Sequence, residues 1–136
     1  MNFALDSSFA LAWVLEDESS LRTDQALDSL GQGAKALVPA LWRWEVANAL
    51  RHVERSKRAT VAQINEHFQL LQSLPIEVDD SSFDLAWTST PLLARKHKLT
   101  IYDAAYLELA IRRGVPLASL DVELAAAAKA EHVKLL

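Results

Sequence analysis

The chain has 136 residues, 51% of them hydrophobic and 24% charged, with no cysteine, three glycines, four prolines and a formal net charge of −4. These values suit one globular domain (1–136) with a sizeable core, and exclude a disordered linker, a collagen-like repeat, a disulfide scaffold and a thiolate zinc centre. A reducing cytoplasm is the expected location. No basic flank precedes the apolar run Phe9 to Leu15, as a secretory signal requires, and no stretch reaches the about 18 apolar residues of a membrane helix.

Asn2 to Leu5 reads as a short strand, and Asp6-Ser7-Ser8 behind it are three successive helix N-cap types. The apolar stretch Phe9 to Leu15 follows, then a helix from about Ser19 to Gly31. Ala36 to Val38, between Gly33 and Pro39, reads as a buried strand. Trp44, Val46, Ala47, Leu50 and Val53 then recur at three- and four-residue steps, the period of a helix. Thr60 opens another helix carrying Ile64, Phe68, Leu71 and Leu74 up to Pro75.

Ile76 to Val78 is a third strand, and Ser82 to Lys98 is helical with a break at Pro91, where Ser89 or Thr90 can cap the second piece. Tyr102 to Arg113 is a helix ended by Gly114. Val115 to Ser119 is a fourth strand, Val122 to Glu131 an alanine-rich helix, and Val133 to Leu135 an edge strand. Short apolar strands alternating with helices predict a three-layer α/β/α sandwich with a central parallel sheet.

The acids are unevenly spread. Met1 to Leu30 carries six acids against one arginine, whereas Arg43, Arg51, Arg55, Lys57 and Arg58 share their stretch with only two acids. Such a segregated basic face steers phosphate even when the total charge is negative. It makes Arg43, Arg51 and Arg55 candidate RNA contacts, although helical basic clusters are more often plain solvated faces. Arg95, Lys96 and Lys98 form a second cluster.

In open α/β sheets, sites gather outside the carboxyl ends of the strands. Asp6 lies there after the first strand, and Asp121 two residues after the end of the fourth. Asp103 is in the first turn of a helix, and Glu45 near the start of another. Taken singly, Asp6 and Asp121 read as N-caps, Asp103 as a dipole partner and Glu45 as a surface acid. Glu45 nevertheless sits within the apolar stretch Val38 to Leu50 beside Trp42 and Trp44, and an unpaired buried carboxylate needs a cation or a proton. Clustered carboxylates without His or Cys suit hard ions, hence Mg²⁺ or Mn²⁺, which polarise phosphoryl oxygens and lower the pKa of water.

Leu5-Asp6-Ser7-Ser8, Pro39 to Leu50 (PALWRWEVANAL), Leu99 to Ile111 (LTIYDAAYLELAI) and Pro116 to Ala125 (PLASLDVELA) occur in an order and spacing that resemble the PIN-domain family, most closely its VapC-type toxins. The resemblance covers essentially the whole chain. It implies a metal-dependent endoribonuclease, typically a homodimer, silenced by an antitoxin whose C-terminal segment covers the toxin groove. Asp6, Glu45, Asp103 and Asp121 match the family's acidic quartet, with Asp6 and Asp103 as direct metal ligands. Ser119 matches the Ser/Thr-x-Asp motif, a donor orienting Asp121 or Asp6, and Ser7 or Ser8 serves Asp6 in the same way. Asn48, one turn after Glu45, is the candidate to orient that carboxylate. Two features depart from the pattern: Pro91 interrupts a helix that many relatives run through, and Trp42 and Trp44 are bulky near the acids, where core packing is their default reading.

Three rival readings remain. An aspartyl-phosphate phosphatase needs a second acid two residues after the first, and here that position is Ser8. A receiver-like phospho-accepting domain would use Asp79-Asp80, which instead read as a cap for the helix at Ser82. A PIN fold that binds RNA or a protein without cutting would be expected to have lost an acid. The apolar faces of the helices Trp44 to Val53 and Ile64 to Leu74 also predict a groove for an amphipathic partner segment, whose Arg or Lys would reach the acids.

Overall fold

A computed structural model describes residues 1–136. Its centre is a sheet of four short strands, β1 (Phe3–Leu5), β2 (Ala36–Val38), β3 (Ile76–Val78) and β4 (Leu117–Ala118), in the order β3-β2-β1-β4. All pairs are parallel, with Phe3 opposite Ala36, Leu37 opposite Glu77 and Leu5 opposite Ala118. Every residue of β1, β2 and β4 is buried, as continuous apolar strands covered on both faces should be. β3 is the half-exposed edge.

Helices α1 (Ser7–Leu11) and α2 (Leu21–Gly31) join β1 to β2, and α3 (Leu41–Arg55) and α4 (Val61–Ser73) join β2 to β3. The return to β4 runs through α5 (Ser81–Leu85), α6 (Ser89–His97) and α7 (Ile101–Arg113), and α8 (Val122–Ala130) follows. Right-handed crossovers then put α1 to α4 on one face and α5 to α7 on the other. Helix α7 lies against β1, β2 and β4 and packs on α6 and α8; its residues Ala104 to Ala110 are all buried. The chain moves outward from β1 to β3 and then returns to the opposite side of β1. The switch point therefore lies between β1 and β4, where a crevice opens at the strands' carboxyl ends.

The predicted helices form close to their expected limits because their ends are chemically marked. Ser20 with Thr23 and Thr60 with Gln63 close capping boxes, and Gly114 ends α7 at φ 62°. The helical break falls at residues 86–88, which leaves Pro91 as the third residue of α6, where its missing N–H leaves no acceptor unmatched. Two strands are shorter than expected. Val115 N–H still bonds the Ala110 carbonyl of α7, and Pro116 has no donor, so β4 begins only at Leu117. The expected edge strand Val133 to Leu135 reduces to a single parallel bridge, Leu135 to Leu117, after His132 turns the chain at φ 59°. No helix is long and apolar enough to cross a membrane.

Candidate active site

Asp6 leaves β1 with its N–H still in the sheet, donating to the Ala118 carbonyl of β4 at 2.9 Å, and is 4% exposed. Its Oδ2 accepts two hydroxyls, Ser119 Oγ from across the switch point and Ser8 Oγ from its own turn, each at 2.7 Å. Both serines also accept backbone donors: Asp121 N–H reaches Ser119 Oγ at 3.0 Å and Leu120 N–H reaches Ser8 Oγ at 3.1 Å. The β1–α1 and β4–α8 turns are thereby laced together around Asp6. Ser7 stands only 3.5 Å from Oδ1, a weak contact, so of the two serines after Asp6 it is Ser8 that holds the carboxylate.

The other acids converge from three helices. Glu45, on the second turn of α3, accepts on Oε1 from the hydroxyl of Tyr106, a fully buried side chain of α7. Asp121 caps α8, its Oδ1 accepting from Leu124 N–H at 2.8 Å. Asp103 lies in the first turn of α7, but Thr100 Oγ caps its N–H at 3.1 Å, so its carboxylate is not spent on the helix end. Asp6, Glu45 and Asp121 each have one oxygen held by the protein.

Their electrostatics mark one shared space. Burial, with the charges of Asp6, Asp121 and Glu123, pushes the Asp103 carboxyl up to about 6. Burial also raises Glu45 above its ordinary value; the Tyr106 hydrogen bond opposes the rise, and the charges of Asp6 and Asp103 add to it. Burial and then the Glu45 carboxylate keep the Tyr106 hydroxyl protonated as a fixed donor. None of the four acids is paired with a Lys, Arg or His side chain.

Asp79 shows what the same fold does with a buried acid that needs neutralising. It is 6% exposed, and its carboxylate takes Arg112 Nη2 at 2.6 Å, Arg113 Nη1 at 2.9 Å and both Ser82 N–H and Oγ. Burial would raise its pKa, but the hydrogen bonds from Arg112, Ser82 and Arg113 outweigh it and hold the carboxyl far below the usual range. Asp79 caps the Ser82 helix as expected and is closed off as a phosphate acceptor. Asp6 has hydroxyls where Asp79 has guanidinium groups.

The donor set fits a hard divalent cation. No group of three or more acidic or histidine side chains is placed to hold a metal ion by itself. Mg²⁺ takes one or two carboxylates and completes its octahedron with water, and the carboxylates of Asp6 and Asp103 suit that mode. Crowded carboxylates with raised pKa values are the signature of repulsion that a cation relieves.

Several sequence expectations fall elsewhere. Asn48 is exposed and makes no bond to Glu45; Tyr106 draws Glu45 towards α7, and a tyrosine inside an apolar helical run gave no sign of this in sequence. Arg43 stands about 200° round α3 from Glu45 and lines a groove on another face. Arg51 is engaged by Glu54, and Arg55 is exposed beyond the rim. Trp42 is buried in the core as expected, but Trp44 is 73% exposed. The groove predicted between the helices is present: about 440 Å³ bordered by α3, α4 and the sheet edge, lined among others by Trp42, Trp44, Val46, Phe68 and Leu71.

A PIN domain family model matches residues 3–130. Ribonuclease VapC3 of Pyrobaculum aerophilum is 30% identical over 129 residues, spanning 92% of this chain and 93% of that protein. Among solved structures, PAE2754 of Pyrobaculum aerophilum superposes with a TM-score of 0.68 at 24% identity, over 93% of this chain and 79% of that one. VapBC2 from Rickettsia felis, solved bound to a DNA fragment from their promoter, gives a TM-score of 0.68 at 12% identity, over 100% of this chain and 98% of that one. At these identities the two structures speak for a shared fold.

Proposed function

The chain belongs to the PIN domain family, and from that premise we propose that it is a divalent-metal-dependent endoribonuclease acting as the toxin of a toxin–antitoxin pair. The observation that carries this reading is the contrast between two buried aspartates. Asp79 is clamped by two arginines, while Asp6, with three more acids around it, has only hydroxyl partners. A fold that neutralises one buried acid and leaves a cluster of others open keeps that cluster for a cation from outside.

Asp6, oriented by Ser8 and Ser119, offers Oδ1 as a ligand, and Asp103 offers its carboxylate. A bound Mg²⁺ or Mn²⁺ supplies charge that polarises a phosphoryl oxygen and lowers the pKa of water. Glu45, held on Oε1 by Tyr106, presents Oε2 to take the proton of the attacking water. The water oxygen bonds to phosphorus as its proton passes to Glu45, the bond to the departing sugar oxygen breaks, and that oxygen takes up a proton from solvent. Asp121, fixed as the α8 cap, keeps Oδ2 turned to the same space.

The antitoxin belongs on the apolar groove between α3 and α4. Trp44 is exposed there, and Trp42, Val46, Phe68 and Leu71 give the groove an apolar lining. α3 carries both this groove and Glu45, so a partner segment lying on it can extend an Arg to the acids and neutralise two of them in bidentate fashion.

RNA cleavage by the purified chain tests the proposal. EDTA should abolish it and Mn²⁺ or Mg²⁺ restore it, whereas undiminished cleavage in EDTA points to a metal-free mechanism and removes the proposal.

A further inference from the structure

A nuclease must hold the phosphates on either side of the bond it cuts, and on α3 Arg43 faces the apolar groove, Arg51 is engaged by Glu54 and Arg55 stands in the last turn, ten residues beyond Glu45. Cations from α2, from the end of α6 and from the last turn of α8 flank α8 instead. On one side of Asp121 is a hollow of about 510 Å³ whose lining includes Arg22, Ser119, Val122 and Lys129. Arg22 is held in place: its guanidinium carbon stands 5.5 Å from the Phe9 ring centroid, its Nη2 donates to the Ser119 carbonyl at 3.1 Å, and its Nε donates to the Leu136 carbonyl. The Phe9 ring and the Ser119 carbonyl are neutral, the Leu136 oxygen belongs to the carboxylate at the end of the chain, and Arg22 Nη1 makes no hydrogen bond. Lys129 is exposed and has no acidic partner.

On the other side is a hollow of about 380 Å³ lined by His97, Lys98, Glu123, Ala126 and Ala127. Lys98 closes α6 in the left-handed conformation, φ 55°, and is likewise exposed without an acidic partner. Glu123 in that hollow is near enough to Asp103 to raise its pKa, which puts the hollow beside the acids. Both hollows reach Ala126, and Val122 near them is 82% exposed, an apolar seat for a base. Asp121 lines the first hollow and Glu123 the second, so each hollow sets cationic side chains beside an acid at the start of α8.

Resting on the nuclease reading, we propose that single-stranded RNA crosses the acidic pocket over the start of α8, its flanking phosphates held by Arg22 and Lys129 on one side and by Lys98 on the other. Glu123 opposes the phosphate at the Lys98 station, so its neutralisation strengthens binding.

The test is the affinity of a fluorescent oligouridine measured in EDTA across a salt series. Lys129→Glu and Lys98→Glu should each weaken binding and flatten the log–log salt slope by about 0.7 for each phosphate no longer neutralised. Lys98→Asn, which tolerates the left-handed backbone, should flatten it too, separating charge from strain. Glu123→Gln should tighten binding, and Arg43→Glu and Arg55→Glu should alter neither quantity. Wild-type affinity and slope in both lysine reversals, or a loss seen only with the α3 reversals, overturns the track. Cleavage of the same oligomer in Mn²⁺ separates the two claims. A wild type that binds with this charge dependence but never cuts contradicts the nuclease alone, and one that cuts while the reversals keep its affinity contradicts the track alone.

Discussion

Asp103 holds its negative charge in an unfavourable place, and its pH dependence follows. Its folded pKa of about 6 lies above the ordinary 3.8, so between those values the folded protein binds a proton that the unfolded chain has released. Stability from this group is therefore full below about pH 4 and declines as pH rises through 6, by about 1–2 kcal/mol once solvent screening is allowed for. Asp103→Asn removes the penalty. In EDTA the variant should melt a few degrees above the wild type at pH 7 and level with it at pH 4; a variant melting lower at pH 7 contradicts the repulsion. Tyr106 and Ser119 act one step back, each fixing a carboxylate, Glu45 and Asp6, to which the proposed mechanism gives the water and the ion. Tyr106→Phe and Ser119→Ala should lower kcat or Mn²⁺ affinity by about 10–100-fold with the fold retained. Wild-type values in both would show that Glu45 and Asp6 need no orientation.

At the scale of elements, α7 joins the active end to the rest of the molecule. It carries Asp103 and Tyr106 in its first two turns, and in its last two it carries Glu108 and Arg112, which reach the Asp79 clamp at the β3–α5 junction. Arg112→Ala leaves Asp79 and Glu108 buried with fewer partners and should destabilise the protein by about 3–5 kcal/mol, while cleavage by the molecules still folded stays near wild type. Because the Asp79 carboxyl is held far below its ordinary range, the clamp's contribution is complete above about pH 4 and is lost as pH falls further. A melting temperature unchanged by Arg112→Ala would dismiss the clamp. The helices were legible in sequence because periodicity and caps are local properties. The clamp was not, since Asp79 and Arg112 are 33 residues apart and each reads singly as an ordinary charge. Tyr106 escaped for the same reason: its hydroxyl meets a carboxylate 61 residues upstream, and its ring is an ordinary core residue.

For the molecule as a whole, the strand order β3-β2-β1-β4 brings the ends of β1 and β4 together, and Asp6, Ser119 and Asp121 occupy those ends. The parallel sheet, with one acid after the first strand and another after the fourth, followed from alternating strands and helices; the order that makes β1 and β4 neighbours did not. The cations nearest the acids did not follow. Charge counting favoured Arg43, Arg51 and Arg55 because they are close in sequence, but a helix turns successive residues to different faces, and the cations beside the acids come from α2, α6 and α8. The net charge of −4 thus says little about where cations and acids stand relative to each other.

Asp6 is the residue on which the whole reading turns. RNA cleavage in Mn²⁺ by the wild type and by Asp6→Asn, with both shown folded by circular dichroism, addresses it most directly. Asn is nearly the same shape, still accepts a hydroxyl, and relieves repulsion, so the variant should fold with equal or higher stability and lose cleavage. Equal cleavage by a folded Asp6→Asn would contradict the assignment of this carboxylate cluster as the catalytic centre.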